Sequence, residues 1–196
     1  MPATPKRLFE TLCDVTGRLT LELELERLLP EVCRQGAQAV GADGACVRLV
    51  DPETATLRLV GAYGLSREYL DKGPVGADRS LRAALDGETV LVEDAWTDSR
   101  AEYPEANRRE GIRSILAVPL ALRGEVIGVL RLYFRQPARP SDEELLFCTV
   151  LAEECALAIE NARLVQLLRE VRDAVVRRSS ERLAAMAYYD PPKQCR

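Results

Sequence analysis

The 196-residue sequence contains no histidine. Without an imidazole there is no Ser-His-Asp or Cys-His machinery, no histidine-ligated zinc or haem, and no imidazole proton shuttle. A histidine that accepts a phosphoryl group is excluded for the same reason. The absence removes these classes of active site before any motif is considered.

Long apolar runs and paired cysteine motifs are also missing. No apolar run approaches the ~18 residues that span a bilayer, and the first letters, MPATPKRLFETL, lack the basic-then-apolar layout of a signal peptide. We therefore expect a cytoplasmic protein with no role at a membrane. Six cysteines are present, but none shows Cys-x-x-Cys spacing. We expect reduced thiols, most of them buried, with no bound metal and no cofactor.

The composition is that of a folded domain. Hydrophobic residues make up 47% of the chain and charged residues 30%, which favours a globular protein over a disordered one. The length gives room for one ordinary domain and an extension. The net charge of −4 argues against binding to nucleic acid.

Apolar spacing predicts two helices at the N-terminal end, over residues 6–19 and within residues 23–40. We expect Pro30 near the first turn of the second helix, where its missing N–H costs little. A short helix is predicted over residues 78–87, with Asp78 as its N-cap and Gly87 as its stop.

Alternating patterns predict strands, which are joined mainly as hairpins. The first hairpin spans Gly44–Asp51 and Thr56–Tyr63 and turns at Pro52–Thr54; the third strand spans Glu88–Asp94; the last hairpin spans Arg113–Leu122 and Val126–Phe134. A polar connection with a short helix after Pro104 separates the third strand from the last hairpin. Five or six strands with segregated helices indicate an α+β domain with an antiparallel sheet.

A long helix is predicted from residue 141 onwards, because Ser141 and Glu144 have the spacing of a capping box. Beyond residue 163 its apolar residues step by four, three and four, which is the spacing of a heptad seam; they are Leu164, Leu168, Val171 and Val175. The pattern fits either a solvated helix flank or a parallel coiled coil with a second copy.

Six segments of the chain, in order, are similar to those of a known family. They are GADGACVRLVD, GAYGLS, GETVLVED, REGIRSILAVPL, RGEVIGVLRLYF and ALAIENARL. On these segments the chain resembles the GAF domain family. The resemblance implies a GAF/PAS-like α+β fold with a six-stranded antiparallel sheet. Helices from the N- and C-terminal ends would pack on one face, and a small-molecule pocket roofed by the connections would lie on the other.

The resemblance also implies a domain organisation. We expect an N-terminal helix over residues 1–19, the GAF domain over residues 20–165, and a helical extension and tail over residues 166–196. The residues after Leu164 are too few for an enzymatic or DNA-binding effector domain. We therefore expect a single stand-alone GAF domain, with a piece of a longer protein as the alternative.

Specialised GAF domains depend on particular residues, which can be looked for in this sequence. Bilin-binding and haem-binding members rely on a histidine, and cyclic-nucleotide members carry an Asn-Lys-Phe-Asp-Glu signature that this sequence lacks. Members that reduce free methionine sulfoxide use cysteines in the connections between strands, and residues 64–88 and 95–111 contain none. An iron sensor using Asp94 and Asp98 stays open, although no cysteine lies near them in sequence.

Candidate ligand-binding residues are chosen from the alternating faces of the predicted strands and from the connections between strands. Arg48, Arg58 and Arg131 lie mid-strand, opposite faces of pure aliphatics, and arginine presents a fork that suits a carboxylate or phosphate. Tyr133 shares a strand face with Arg131. The alternative is a solvated sheet face. Tyr63 ends the second strand and is included with them. The expected ligand is an unidentified small molecule, anionic or aromatic.

Four further candidates complete the set. Asp94, Trp96 and Tyr103 lie in the connection that would roof the pocket, where an aromatic lid with a carboxylate suits a small amphipathic ligand. Trp96 is the only tryptophan, and its alternative role is to anchor the loop. Ser114 follows the entry to a strand and either faces the pocket or bonds to backbone.

The sequence leaves three candidate functions. The favoured one is a small-molecule sensor, not an enzyme, that signals through N- and C-terminal helices pairing in a homodimer. The second is a degenerate GAF fold that acts only as a dimerisation or adaptor module. The third is a cysteine-based reductase, for which the sequence shows neither a base nor a resolving pair.

Overall fold

The computed structural model describes residues 4–21, 25–51, 56–72, 79–101 and 103–187. The predicted N-cap Asp78 and the turn at Pro52–Thr54 lie outside these residues. The chain divides into two units, residues 1–159 and residues 160–196, and the first contains the sheet. Within the described residues, no helix is both long enough and apolar enough to cross a membrane.

The described elements include helices at both ends of the chain and strands between them. The helices are α1 (Pro5–Leu21), α2 (Leu25–Ala39), α3 (Arg67–Leu70), α4 (Arg79–Leu85), α5 (Pro104–Glu110) and α6 (Asp142–Ala187). The strands are β1 (Gly44–Val50), β2 (Leu57–Tyr63), β3 (Val90–Val92), β4 (Ser114–Leu122) and β5 (Glu125–Phe134). Each predicted strand is therefore present, although the third is shortened to its apolar centre.

The strands pair antiparallel in the order β2-β1-β5-β4-β3. The prediction of six strands is wrong for the described part of the chain, which forms five. After β3 the backbone amides bond locally, Asp98 N–H to the Asp94 carbonyl and Ala101 N–H to the Asp98 carbonyl. These local turns use the donors that a further strand would need.

One face of the sheet packs against helices from both ends of the chain, as expected. Helices α1, α2 and the first part of α6 each contribute an apolar stripe. Val15 belongs to the stripe of α1, Val32 to that of α2 and Leu151 to that of α6. This cluster is the main hydrophobic core. Strands β1, β4 and β5 supply its buried sheet residues, which are Ala45, Val47, Leu116, Val118, Leu120, Leu130, Leu132 and Phe134.

Strand β4 shows how alternation divides the two faces. Leu116, Val118 and Leu120 are fully buried in the main core. They alternate with Ile115 and Ala117, which are buried in separate clusters on the other face. The period of two in a strand requires this division, and it leaves both faces of β4 covered.

Helix α2 lies very close to the edge strand β2. A side chain at Gly61 would meet the backbone of Leu29, so the absence of a Cβ permits this approach. Pro30 lies inside α2 and not in its first turn, because the helix already begins at Leu25. The prediction for Pro30 is therefore wrong by about one turn, and the apolar stripe that starts at Leu25 is the reason.

Candidate functional site

The second face of the sheet carries the arginines that the alternation places there. Cys46 lies opposite Arg131 and Arg48 opposite Val129 in the pairing of β1 with β5. Arg48 and Arg131 are both buried, with 7% and 3% of their surfaces exposed. This face is therefore covered, and the alternative of a solvated sheet face does not apply to these two residues.

Arg48 donates to backbone. Its guanidinium bonds to the carbonyl oxygens of Leu57 and Leu70, each at 3.3 Å. These bonds connect β1 to the start of β2 and to the end of α3. The charge thus helps to hold the connection over the sheet, which is a structural role that the sequence did not distinguish from ligand binding.

Tyr133 fills part of the space where a ligand was expected. Its hydroxyl lies 3.4 Å from the Cys46 thiol, and its ring meets the ring of Tyr69 edge-on, with centroids 5.6 Å apart. The guanidinium of Arg131 lies 5.7 Å from the centre of the Tyr133 ring. Burial, together with the neighbouring Cys46 thiol, raises the pKa of Tyr133 well above its usual range.

Tyr69 and Asn107 form a buried polar pair that the sequence analysis missed. The Tyr69 hydroxyl donates to Asn107 Oδ1 at 2.8 Å, and Asn107 Nδ2 donates to the Ala95 carbonyl at 3.2 Å. The pair joins α3, α5 and the turn after β3. Nothing in the local pattern marked it, because its partners are separated by 38 residues in sequence.

Asp94 and Trp96 hold the turn that follows β3. Asp94 accepts from the backbone N–H of Trp96 at 3.0 Å and from the Arg113 guanidinium at 3.1 Å. The Trp96 indole donates to the Ile112 carbonyl at 2.6 Å, and Arg113 stacks on its ring at 4.2 Å. The contacts of Trp96 are those of a loop anchor.

These contacts change the acidity of Asp94. The hydrogen bond from the Trp96 backbone is the largest cause that lowers the pKa of Asp94, and the Thr97 side chain and the Arg113 charge act in the same direction. Asp94 is consequently ionised at neutral pH and serves as an acceptor in the turn.

Tyr103 lies at the wall of a surface cleft between α3 and α5. The cleft has a volume of about 510 Å³ and is lined by Glu68, Asp71, Lys72, Tyr103, Pro104, Glu105, Ala106 and Arg109. Tyr103 is the one predicted site residue in this lining. Its backbone is left-handed, with φ 58° and ψ 53°, where residues other than glycine are uncommon.

Polar contacts join the two helices beside the cleft. The side chain of Glu110 accepts from the backbone N–H of Ser66 at 2.8 Å and from its hydroxyl at 2.5 Å. Arg109 on α5 lies 3.7 Å from Glu68 on α3. Together with the buried pair of Tyr69 and Asn107, these contacts fix the distance between the helices.

Two predicted residues lie elsewhere. The Ser114 hydroxyl donates to the Glu93 carbonyl at 2.8 Å and accepts from Ala138 N–H at 3.0 Å, so its bonds are to backbone. Tyr63 packs against the main core on the helix-covered face, and its hydroxyl accepts from Gln38 at 3.4 Å. Neither joins Arg48, Arg131 and Tyr133.

Burial disfavours the thiolate form of three cysteines. Burial raises the pKa of Cys148 and of Cys155 to about 12 and raises that of Cys33 well above its usual value. The described residues contain no group of three or more histidine, cysteine or acidic side chains that would hold a metal ion. The arrangement therefore offers hydrogen bonding and charge, and no nucleophile among these three thiols.

Comparison with known proteins defines the class. The family profile described as a GAF domain matches residues 22–160. The chain therefore belongs to the GAF domain family, whose domains are of the sensor type.

Solved structures show the same fold. The chain is similar to the GAF domain of a phosphoenolpyruvate-protein phosphotransferase from Coxiella burnetii, with a TM-score of 0.74 and 21% identity over 84% of this chain and 99% of that one. It is also similar to free methionine-R-sulfoxide reductase from Neisseria meningitidis, with a TM-score of 0.68 and 22% identity over 84% of this chain and 96% of that one.

One curated relative is named a sensor. The chain is 31% identical over 98 residues to the methyl sulfide methyltransferase-associated sensor of Methanosarcina acetivorans. The match covers 49% of this chain and 10% of that protein, so the chain spans about a tenth of the relative's length.

Proposed function

We propose that this chain is a small-molecule-sensing regulatory module that acts as a homodimer through its terminal helices. The observation that carries the proposal is the cleft of about 510 Å³ between α3 and α5. Ligand sites are concave, commonly about 300–1,000 Å³ in volume, and combine apolar surface with a few polar groups. The cleft has this size, and it combines the apolar surface of Tyr103, Pro104 and Ala106 with five charged side chains.

The mechanism we propose is a shift of populations. A ligand changes a conformational equilibrium only when it binds one arrangement more tightly than another. The hydrogen bond of Ser66 to Glu110 and the ion pair of Arg109 with Glu68 connect α3 to α5 beside the cleft. A ligand that alters these contacts would favour one arrangement of α3 and α5.

The output we propose is pairing of the helix in the second unit. Its exposed apolar residues include Leu164, Leu168, Val171 and Val175. Exposed apolar residues at heptad spacing are typical of a helix that pairs with another. A second copy of this chain supplies the same stripe. A cytoplasmic location stays a prediction from the sequence.

An adaptor module without a ligand is the second candidate, and one observation favours it. Tyr133 and Tyr69 occupy space on the second face of the sheet, where the expected pocket would lie. On this account the fold serves only to hold the helices that dimerise, and the cleft between α3 and α5 has no occupant.

A cysteine-based reductase is the third candidate. It is supported by the structural similarity to the Neisseria meningitidis reductase. A thiol reductase needs a thiolate, whereas the pKa values of Cys33, Cys148 and Cys155 are raised. These three thiols are therefore poorly suited to the reaction.

A thermal-shift screen separates the candidates. The protein is heated with nucleotides, amino acids and aromatic acids, each in separate samples. A sensor is stabilised by the members of one class, because a ligand that binds only the folded state raises the melting temperature. A folded dimer that no class stabilises would contradict the sensor and support the adaptor.

A further inference from the structure

The cleft between α3 and α5 presents both signs of charge. Its carboxylates are Glu68, Asp71 and Glu105, and its cations are Lys72 and Arg109. The rest of the lining is Tyr103, Pro104 and Ala106. A molecule with one charge would gain from one set and be repelled by the other, since like charges brought together oppose binding.

Lys72 is the most firmly placed cation of the cleft. Its ammonium lies 3.3 Å from the centre of the Tyr69 ring and donates to the Tyr69 carbonyl at 3.2 Å. The side chain is half-buried. Because a partly desolvated charge is screened less than one in water, this ammonium can attract a carboxylate in the cleft.

Arg109 and Glu68 form an ion pair in the lining of the cleft, with 3.7 Å between nitrogen and oxygen. The two side chains are 70% and 82% exposed, and an ion pair this exposed contributes little stability. A ligand carrying both charges can therefore replace the pair by two new pairs at small cost, its carboxylate with Arg109 and its ammonium with Glu68.

The backbone of Tyr103 adds a second observation. A tyrosine in the left-handed region is strained, and such strain is concentrated at ligand sites and switch regions. The conformation places Tyr103 directly before α5, in the lining beside Pro104 and Ala106. These residues give the cleft an apolar part next to its charges.

We propose that the cleft binds a small zwitterion, a free α-amino acid with an apolar side chain. Lys72 and Arg109 bind its carboxylate, Glu68 and the neighbouring carboxylates bind its ammonium, and its side chain packs on Tyr103. The inference rests on the proposed function, because it names the ligand class of the same cleft.

Derivatives of L-leucine in which either the ammonium or the carboxylate is blocked test the two charges separately. L-leucine, N-acetyl-L-leucine and L-leucinamide are titrated by calorimetry, with the fluorescence of the single tryptophan as a second signal. Trp96 suits this use because its carbonyl accepts from Arg108 on α5 at 3.2 Å. L-leucine is expected to bind at least about tenfold more tightly than either blocked form. Equal binding of L-leucinamide or of N-acetyl-L-leucine would overturn the zwitterion.

Two arginine variants locate the site. Arg109→Ala removes a cation of the lining, and Arg139→Ala removes an arginine outside the lining that is also in an exposed ion pair, 3.3 Å from Glu93, which is itself outside the lining. We expect Arg109→Ala to weaken L-leucine binding about tenfold and Arg139→Ala to change it by less than about twofold. Equal effects of the two variants would overturn the assignment to this cleft.

The outcomes separate this inference from the proposed function. If a nucleotide or an aromatic acid binds and neither L-leucine nor L-phenylalanine does, the zwitterion is wrong and the sensor stands. If no class binds to the folded dimer, both proposals fail. Binding of L-leucine that Arg109→Ala weakens and Arg139→Ala leaves unchanged supports both proposals.

Discussion

Asn107 shows how much one side chain contributes at the scale of the residue. It is fully buried in a seven-residue helix, and its amide bonds to the Tyr69 hydroxyl and to the Ala95 carbonyl. Buried polar groups depend on such partners, because water no longer satisfies them. The amide therefore ties α5 to two segments outside that helix.

Asn107→Ala is expected to lower the free energy of unfolding by about 2 kcal/mol, because the Tyr69 hydroxyl and the Ala95 carbonyl each lose this buried partner. Urea denaturation followed by circular dichroism measures the change. Tyr69→Phe and the double variant complete a cycle. The two single effects are expected to be non-additive, and strict additivity would contradict the coupling between the residues.

The ionisation of Asp94 makes the stability of the folded protein depend on pH. Its folded-state pKa is lowered, first by the Trp96 backbone N–H, so its contribution to stability is present above the unfolded pKa of about 3.9. That contribution is lost as the pH falls through the folded pKa. Asp94→Asn is expected to lower the melting temperature at pH 7, and the difference from the unmodified protein is expected to shrink below about pH 4.

Melting temperatures measured between about pH 7 and about pH 3 check this expectation. Glu88→Gln, which changes an exposed carboxylate before β3, serves as the control. A difference for Asp94→Asn that stays constant over the whole range would show that the carboxylate charge contributes nothing to the turn.

At the scale of the element, the start of α6 is set by local chemistry. Ser141 N–H donates to Glu144 at 2.9 Å, and Glu144 N–H donates to the Ser141 hydroxyl at 3.3 Å. The predicted capping box is confirmed. It satisfies two donors at once and fixes where a helix of 46 residues begins.

Ser141→Ala is expected to lower the free energy of unfolding by about 1 kcal/mol, because the first turn of α6 loses the side-chain acceptor. Chemical denaturation measures the loss. Ser141→Asp is the matched variant, since aspartate is an equally good N-cap and is expected to retain the stability. An aspartate variant as unstable as the alanine variant would contradict the capping role.

The turn after β2 depends on a glycine. Gly64 has φ +70°, and a Cβ there would collide with the carbonyl oxygen of Asp43. Gly41 has nearly the same φ, +69°, with nothing within 4 Å of its Cβ position. The two positions thus share a left-handed backbone and differ in the available space.

Gly41→Ala is expected to cost about 1–2 kcal/mol of stability, from the left-handed backbone alone. Gly64→Ala is expected to cost a further ~1–3 kcal/mol, because β1 must move to relieve the collision. Denaturation of both variants under the same conditions gives the comparison. Equal losses of stability in the two variants would mean that the segment before β1 can move away from the added Cβ at no measurable cost.

At the scale of the whole molecule, the proposed pairing of two copies depends on the direction of the apolar stripe on the second unit. Val175 lies on the stripe with Leu164, Leu168 and Val171, whereas Val176 is about 100° further around the helix. The two valines are almost equally exposed, at 59% and 57%. The side chains of the two valines therefore project in different directions from the helix, but they are almost equally exposed.

Val175→Asp is expected to shift a dimer to monomers, because a carboxylate on the seam would lose its hydration in the pair. Val176→Asp is expected to leave the dimer intact. Sedimentation equilibrium at micromolar concentration measures both. A monomeric unmodified protein, or equal dissociation of the two variants, would contradict pairing along this stripe.

Local patterns determined most of the elements. Alternation placed Arg48 and Arg131 on the face opposite the aliphatics, and the spacing of Ser141 and Glu144 located the start of α6. These features depend on neighbours within a few positions, and the period of a strand or a helix turn is fixed by the backbone. The family followed from six short segments read in order.

Only the tertiary structure decided what surrounds each candidate. Ser114 bonds to backbone, Tyr133 packs on Tyr69, and Tyr103 alone of the predicted residues reaches the cleft. The sequence could not separate these outcomes, because the partners of a side chain across a sheet or between helices are distant along the chain. Packing of α3 against α5 creates the cleft, and that packing depends on contacts such as Tyr69 with Asn107.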